Sequence, residues 1–215
     1  APQQPLPEAG QPLVSRPRLL QHLAEQAGHR ICTLIAPTGS GKTVLLAHYF
    51  HLHASAQPLA WLHLTGNLHT PTEFFRQLSS AIRQRYPAFN GYAGLQQPGE
   101  NRQTGFALST FINGLKQLPG ALHIIIDNFE WLDDAHWKPL VQQLLELSPA
   151  QVKWILSGRH ATSIDTHRWA LRDELGQLNQ PQLFFSATET CELLQQGGCQ
   201  SDAEQAQRIF QYTRG

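Results

Sequence analysis

A loop of small residues, Ala36-Pro37-Thr38-Gly39-Ser40-Gly41-Lys42-Thr43, stands between a short apolar run and a segment that is expected to be helical. Its glycines let the backbone curl closely around a polyphosphate, whose charge the loop N–H groups and the dipole of the following helix would bind. Lys42 is expected to reach the β- and γ-phosphates, and the Thr43 hydroxyl to ligate Mg²⁺. A strand before this motif and a helix after it are the setting that it requires. The sequence therefore predicts a P-loop that binds ATP or a close relative.

The usual first glycine of the motif is replaced here by Ala36, which is a common variant. The residues predicted to contact the nucleotide at this loop are Ala36, Pro37, Thr38, Gly39, Ser40, Gly41, Lys42, Thr43 and Val44.

Two further strands end in residues that suit the same site. Leu122–Asp127 (LHIIID) is apolar until its last residue, which has the position of a Walker B aspartate that holds the Mg²⁺ shell. The strand at 152–157 is followed by Gly158 and Arg159, and a guanidinium matches phosphate oxygens bidentately. Because ligands of open α/β sheets bind at the carboxyl ends of strands, Arg159 is predicted to sense the γ-phosphate. Thr43 and Asp127 are the predicted metal site.

The strands alternate with helices along the chain, which predicts βαβ units and a mostly parallel sheet. Strands are expected at 30–36, 59–64, 122–127, 152–157 and, as a last short strand, 183–185. Helices are expected at 18–26, 41–55, 70–86, 104–118, 137–147, 188–196 and 201–212, with a loop at 88–101. The predicted fold class is α/β, a three-layer α/β/α P-loop NTPase with five strands.

Three segments are predicted along the chain. Residues 1–13 are rich in Pro and Gln and form a disordered leader, 14–186 form the P-loop NTPase domain, and 187–215 begin a helical subdomain. The 16 basic residues balance the 16 acidic residues, so the charge gives no reason to expect a nucleic-acid surface. No apolar run suggests a membrane span, and the cysteine usage suggests a reduced, cytoplasmic compartment. The histidines show no spacing of a zinc site.

With these motifs in order, the chain resembles the nucleotide-binding module of the STAND ATPases, particularly MalT-like members of the LuxR regulator group. The resemblance rests on the P-loop, on the strand LAWLHL at 59–64, on DNFEWLDD at 127–134, and on the Arg159 strand. VSRPRLL at 14–20 is similar to the segment before the family's first strand, which packs near the adenine. The resemblance therefore implies that Val14 and Arg16 contribute to nucleotide binding, and it implies an ASCE/AAA+-like arrangement of the sheet.

The resemblance also implies a regulatory switch rather than a metabolic enzyme. In this family ADP holds a closed state, ATP with an inducer allows self-association, and hydrolysis resets the cycle. The full-length relatives bind DNA through a helix-turn-helix domain, for which this chain contains no candidate.

One departure from the family bears on hydrolysis. Many relatives carry a second acidic residue after the Walker B aspartate, where this chain has Asn128. An amide can orient the attacking water but cannot accept its proton, so hydrolysis is expected to be slow. Glu130 is an alternative catalytic carboxylate or a solvated turn residue. The competing functions are a small-molecule P-loop kinase and a nucleotide-gated scaffold that does not hydrolyse ATP.

Overall fold

The computed structural model describes residues 14–66, 68–91, 100–197, 208–209 and 211. The helices are α1 (Pro17–Gln26), α2 (Lys42–His53), α3 (Pro71–Arg83), α4 (Glu100–Lys116), α5 (Lys138–Leu147), α6 (His167–Ala170), α7 (Gln180–Leu183) and α8 (Ala187–Gln196). The strands are β1 (Ile31–Ile35), β2 (Leu59–His63), β3 (Leu122–Asp127), β4 (Val152–Gly158) and β5 (Leu175–Asn179). A short 3-10 turn, Phe129–Leu132, follows β3.

The five strands form one sheet in the order β2-β3-β4-β1-β5, and every neighbouring pair is parallel. Parallel strands need a crossover on one face of the sheet, which is why a helix stands between most of them in the chain. In this order β1 lies inside the sheet, next to β4 and one strand from β3. The carboxyl ends of β1, β4, β3 and β2 therefore lie side by side along one edge.

Alternate residues of the central strands divide the core into two layers. On one face Ile124, Ile126 and Trp154 pack with α3, α4 and α5. On the other face Leu34 and Ile125 pack with α1 and α2. Strands that are covered on both faces read as continuous apolar runs, and all six residues of β3 are buried. The predicted three-layer α/β/α fold with a five-stranded parallel sheet is confirmed.

The predicted position of the fifth strand is wrong. It was expected at 183–185, but Leu183 ends α7, and the fifth strand is Leu175–Asn179. Among the described residues this edge strand pairs with β1 alone, and it buries alternate positions. Its residues Gly176, Gln177 and Asn179 therefore interrupt the apolar run by which a buried strand is recognised. The Asn179 capping box and a proline at the start of α7 then direct the following residues into a helix.

The other predicted elements lie where they were expected, to within a few residues at their ends. The helix expected at 104–118 begins earlier, at Glu100. The predicted leader at 1–13, most of the loop at 88–101 and most of the helix at 201–212 lie outside the described residues. No helix in the described part of the chain combines the length and the apolar character that crossing a membrane requires.

Candidate nucleotide-binding site

The loop between β1 and α2 has the backbone of a phosphate cradle. Gly39 and Gly41 have φ of 84° and 80°, in the left-handed region that favours glycine. A Cβ atom at either position would meet nothing within 4 Å, so both glycines face open space. The Ser40 hydroxyl donates to the Pro37 carbonyl at 2.7 Å and closes the turn. Gly41 is the N-cap of α2, so the first N–H groups of that helix face the loop.

Lys42 is folded back onto the loop that precedes it. Its Nζ donates to the carbonyl oxygens of Ala36 at 2.6 Å and Pro37 at 2.9 Å. Burial lowers the pKa of Lys42; the carboxylates of Glu130 and Asp127 raise it, Arg159 lowers it, and the net direction is down. A partly desolvated ammonium gains from an anionic ligand, because a phosphate restores the interactions that burial removed.

Asp127 is buried at the end of β3 and is held by two side chains. Its Oδ2 accepts a hydrogen bond from the Thr43 hydroxyl at 2.8 Å and lies 3.1 Å from His63 Nδ1. Burial by itself would raise the pKa of this carboxyl group, but the hydrogen bonds of His63 and Thr43, together with nearby Ser157, outweigh burial and lower it. Asp127 is therefore ionised at neutral pH and orients the Thr43 hydroxyl.

His63 joins Asp127 to its neighbour Asn128 and was not predicted as a site residue. Asn128 Nδ2 lies 3.2 Å from His63 Nε2 and donates to the Leu64 carbonyl at 3.2 Å. Because Leu64 O can only accept, the amide must turn its nitrogen toward β2, and His63 then carries its proton on Nδ1. The parallel pairing of His63 with Asp127 creates this contact. Its signal in the sequence was a polar residue that ends an apolar strand.

Arg159 follows β4 and forms a salt bridge with Glu130, whose Oε1 lies 2.7 Å from Arg159 Nε. The guanidinium also lines a pocket of about 300 Å³. The other residues that line this pocket are Thr38, Gly39, Gly41, Lys42, Thr43, Val44 and Asn128. The structure thus brings most of the predicted phosphate loop, Asn128 and Arg159 to one cavity, while Ala36, Pro37 and Ser40 do not line it and Asp127 lies behind Thr43.

These residues fit a magnesium-bound polyphosphate. The Thr43 hydroxyl and the Asp127 carboxylate are the oxygen donors that Mg²⁺ prefers. Asp127 Oδ1 is buried and has no well-aligned hydrogen-bond partner among the described residues, although Ser157 is near enough to affect its pKa. The cavity carries cationic groups from Lys42 and Arg159, which suit phosphate oxygens.

Val14 and Arg16 lie outside the set of residues that line this pocket. Arg16 Nη2 donates to the carbonyl oxygens of Leu183 and Phe184, each at 2.8 Å, and contacts Glu189 Oε2 at 3.3 Å. Its guanidinium is therefore occupied with the segment before α8. A nucleotide contact for Arg16 and Val14 stays a prediction, as do the catalytic roles of the other site residues.

Fold and site together define a P-loop domain. Comparison with known protein families shows which family this domain belongs to. The AAA domain family matches residues 24–163, which include the P-loop, Asp127 and Arg159. The chain belongs to this family.

Two curated relatives are similar to this chain over most of its length. The chain is 23% identical over 189 residues to the serine/threonine-protein kinase PknK of Mycobacterium tuberculosis, covering 86% of this chain and 17% of that protein. It is 22% identical over 206 residues to the HTH-type transcriptional regulator MalT of Vibrio cholerae, covering 94% of this chain and 22% of that protein. The chain therefore spans about a fifth of the length of these relatives.

Among the solved structures that resemble the chain over most of its length is a sensor protein of a signalling class. It is a Signal Transduction ATPase with Numerous Domains (STAND) protein with a tetratricopeptide repeat sensor, from Pyrococcus horikoshii. The TM-score is 0.62 at 17% identity, and the match covers 94% of this chain and 28% of that one. At this identity the likeness concerns the fold. Together with the AAA family match and the MalT relatives, it supports the predicted resemblance to a MalT-like module of the STAND type.

Proposed function

We propose that this chain is the nucleotide-binding switch module of a signal-responsive transcriptional regulator and that it binds ATP and ADP with Mg²⁺. One observation carries the proposal. Lys42, Thr43 and Arg159 line the same cavity, although they come from the loop after β1 and from the end of β4. Asp127 bonds to Thr43 from the third strand. Lys42 supplies a cation for the β-phosphate, and Thr43 supplies a hydroxyl that could bind the metal. Arg159 supplies a second cation from another strand.

Each side chain has a defined part in this proposal. Lys42 exchanges the carbonyl oxygens of Ala36 and Pro37 for phosphate oxygens, which relieves part of its desolvation. Asp127 keeps the Thr43 hydroxyl oriented as a donor, so a lone pair of its oxygen would be free to hold Mg²⁺. Bound Mg²⁺ would neutralise phosphate charge. Arg159 reads the terminal phosphate and so distinguishes ATP from ADP.

Hydrolysis is proposed to be slow. Both amide hydrogens of Asn128 are used by His63 and Leu64, so its free oxygen can orient a water molecule but cannot take a proton. The same geometry favours a second candidate function, a nucleotide-gated scaffold that binds ATP without turnover. Phosphate release from Mg·ATP separates the two: slow release that Lys42→Ala abolishes supports the switch, whereas no release beyond the uncatalysed background supports the scaffold.

For the whole protein we propose self-association in the ATP-bound state and DNA binding through a domain outside these residues. Similarity to MalT, whose name describes an HTH-type transcriptional regulator, supports this proposal. A sedimentation experiment on the full-length protein with ATP and with ADP tests self-association, and equal sedimentation in both would contradict it.

The Lys42→Ala variant tests nucleotide binding. We expect the affinities for Mg·ATP and Mg·ADP, measured by calorimetry, to fall by roughly 10- to 100-fold, because a charged hydrogen bond to phosphate is lost. Lys138→Ala, at an exposed position on α5, is the matched control and should bind like the wild type. Unchanged binding in Lys42→Ala would show that the phosphates lie elsewhere.

The Arg159→Ala variant tests the phosphate sensor. Its affinity for Mg·ATP should fall about tenfold, while its affinity for Mg·ADP changes little, since the guanidinium is proposed to contact the terminal phosphate. Arg172→Ala, at an exposed position, serves as the control. Equal losses for the two nucleotides would refute the sensor role.

A further inference from the structure

Glu130 is the partner of the proposed phosphate sensor, and its surroundings limit what it can do. Both of its carboxylate oxygens are buried, and neither accepts a well-aligned hydrogen bond from the described residues. Glu130 is also not among the residues that line the nucleotide cavity. A general base must reach the proton that it removes, directly or through one water. In this structure Glu130 does not line the cavity, and the charged group that it contacts is Arg159.

Arg159, in contrast, reaches the cavity with one side of its guanidinium engaged. Its Nε lies 2.7 Å from Glu130 Oε1, and its side chain is 46% exposed against 19% for Glu130. A guanidinium is planar and carries its five N–H donors in a fixed fork. The contact that the described residues make with this guanidinium at 2.7 Å is at Nε, which leaves its terminal nitrogens to turn toward the cavity. They remain available for phosphate oxygens.

The two segments that carry this salt bridge are joined a second time. Asp133, just after the 3-10 turn that contains Glu130, accepts hydrogen bonds from the Ser163 backbone at 2.8 Å and from the Ser163 hydroxyl at 2.6 Å. Ser163 lies in the segment that follows Arg159. Because both sides are held, the position of the Glu130 carboxylate is set by the chain and does not depend on Arg159 alone.

We propose that Glu130 is a positioning residue for Arg159. It holds the Nε side of the guanidinium, and the two terminal amino groups thereby face the terminal phosphate of a bound nucleoside triphosphate. Glu130 then contributes to discrimination between triphosphate and diphosphate without touching the nucleotide. This inference rests on the proposed nucleotide-switch function and differs from the predicted role in which Glu130 activates water.

The test is a double-mutant cycle read by calorimetry. The imido analogue of ATP, in which nitrogen bridges the β- and γ-phosphates, and ADP, each with Mg²⁺, are titrated into the wild type, Glu130→Ala, Arg159→Ala and the double variant. We expect Glu130→Ala to weaken the triphosphate about tenfold and the diphosphate little. The double variant should match Arg159→Ala, since Glu130 acts through that residue.

Two further variants are added to this cycle, one conservative substitution of Glu130 and one control. Glu130→Gln keeps an oxygen that can accept from Arg159 Nε, so it should recover part of the lost triphosphate affinity. It also keeps the inference testable if Glu130→Ala does not fold. Glu146→Gln removes a carboxylate on α5 that pairs with Arg168 at 3.8 Å and should bind both nucleotides like the wild type.

Other results would overturn the inference. Tighter triphosphate binding by Glu130→Ala would mean that the carboxylate competes with the phosphate for Arg159. Unchanged binding with loss of turnover would assign Glu130 to the attacking water. Additive losses in the double variant would show that Glu130 acts independently of Arg159. If the wild type bound neither nucleotide, the proposed function itself would fail, which is a separate outcome.

Discussion

At the scale of single residues, two histidines of this sheet differ in their hydrogen bonding. His63 ends β2 and makes hydrogen bonds with Asp127 and Asn128, so both of its ring nitrogens have partners. His123 lies near the start of β3, and its buried Nδ1 has no partner among the described residues. The first histidine organises a polar site, whereas the second is a neutral group in the sheet that resists protonation.

The His123 environment predicts a pH dependence of stability. Burial, Lys153 and His53 lower the pKa of His123 from 6.5 to about 4. Between these values the unfolded chain binds a proton that the folded chain does not, so stability is complete above pH 6.5 and is lost as the pH falls toward 4. The full loss is at most about 3 kcal/mol.

Urea unfolding between pH 4.5 and 7.5 measures this dependence. His123→Leu, which cannot titrate, should show a shallower decline of the unfolding free energy than the wild type at acidic pH. His51→Gln, at an exposed position of α2, should keep the wild-type slope. An unchanged slope in His123→Leu would contradict the assignment.

At the scale of elements, the edge strand β5 is held by a close approach to the end of α1. A Cβ atom at Gly176 would clash with the Gln26 carbonyl oxygen and lie 3.0 Å from His29 Nδ1. The Gln177 N–H donates to the Gln26 side chain at 3.0 Å. This contact needs glycine for space rather than for an unusual backbone angle, since the φ of Gly176 is not positive.

Two glycine-to-alanine substitutions should therefore have opposite effects. Gly176→Ala should destabilise the domain by roughly 1–3 kcal/mol, because the α1 backbone would have to move. Gly105→Ala, in α4 where a Cβ would meet nothing within 4 Å, should stabilise it by up to about 1 kcal/mol through helix propensity. Thermal unfolding of both variants measures these two changes in stability. The same sign of change in both would contradict the packing argument.

At the scale of the whole molecule, Arg16 connects the beginning of the described chain with α8 and the residues just before it. Its guanidinium donates to the carbonyl oxygens before α8, contacts the buried Glu189, and lies 4.2 Å from the centre of the Phe185 ring. Glu189 also closes the capping box of α8 with Ser186. One buried cation thus attaches the predicted start of the helical subdomain to the nucleotide-binding domain.

The Arg16→Ala variant should release α8. Because it removes the buried cation that faces the Glu189 carboxylate, we expect a loss of about 2 kcal/mol or more. Amide hydrogen exchange should accelerate across Ala187–Gln196 while the strands keep their protection. Arg18→Ala is the control, since Arg18 is 58% exposed and lies 3.9 Å from Glu189, so its loss should cost less than about 1 kcal/mol. Equal effects of the two variants would contradict the prediction that Arg16 holds α8 in place.

Local patterns in the sequence were sufficient for the phosphate loop and for four of the five strands. The loop is a contiguous motif, and the buried central strands are apolar runs that short-range chemistry identifies. Asp127 and Arg159 were predicted to serve the same nucleotide site because one ends such a strand and the other follows one. The fifth strand was missed, since an edge strand buries only alternate residues and its polar positions resemble a loop.

Only the tertiary structure decided which distant side chains meet. His63 reaches Asp127, and Glu130 reaches Arg159, because the strand order is β2-β3-β4-β1-β5. Arg16 reaches Glu189 across nearly the whole domain. Sequence spacing does not specify these pairs, since a parallel sheet can order its strands in several ways with similar local patterns. The P-loop thus follows from the sequence itself, and the partners that orient its site follow from the fold.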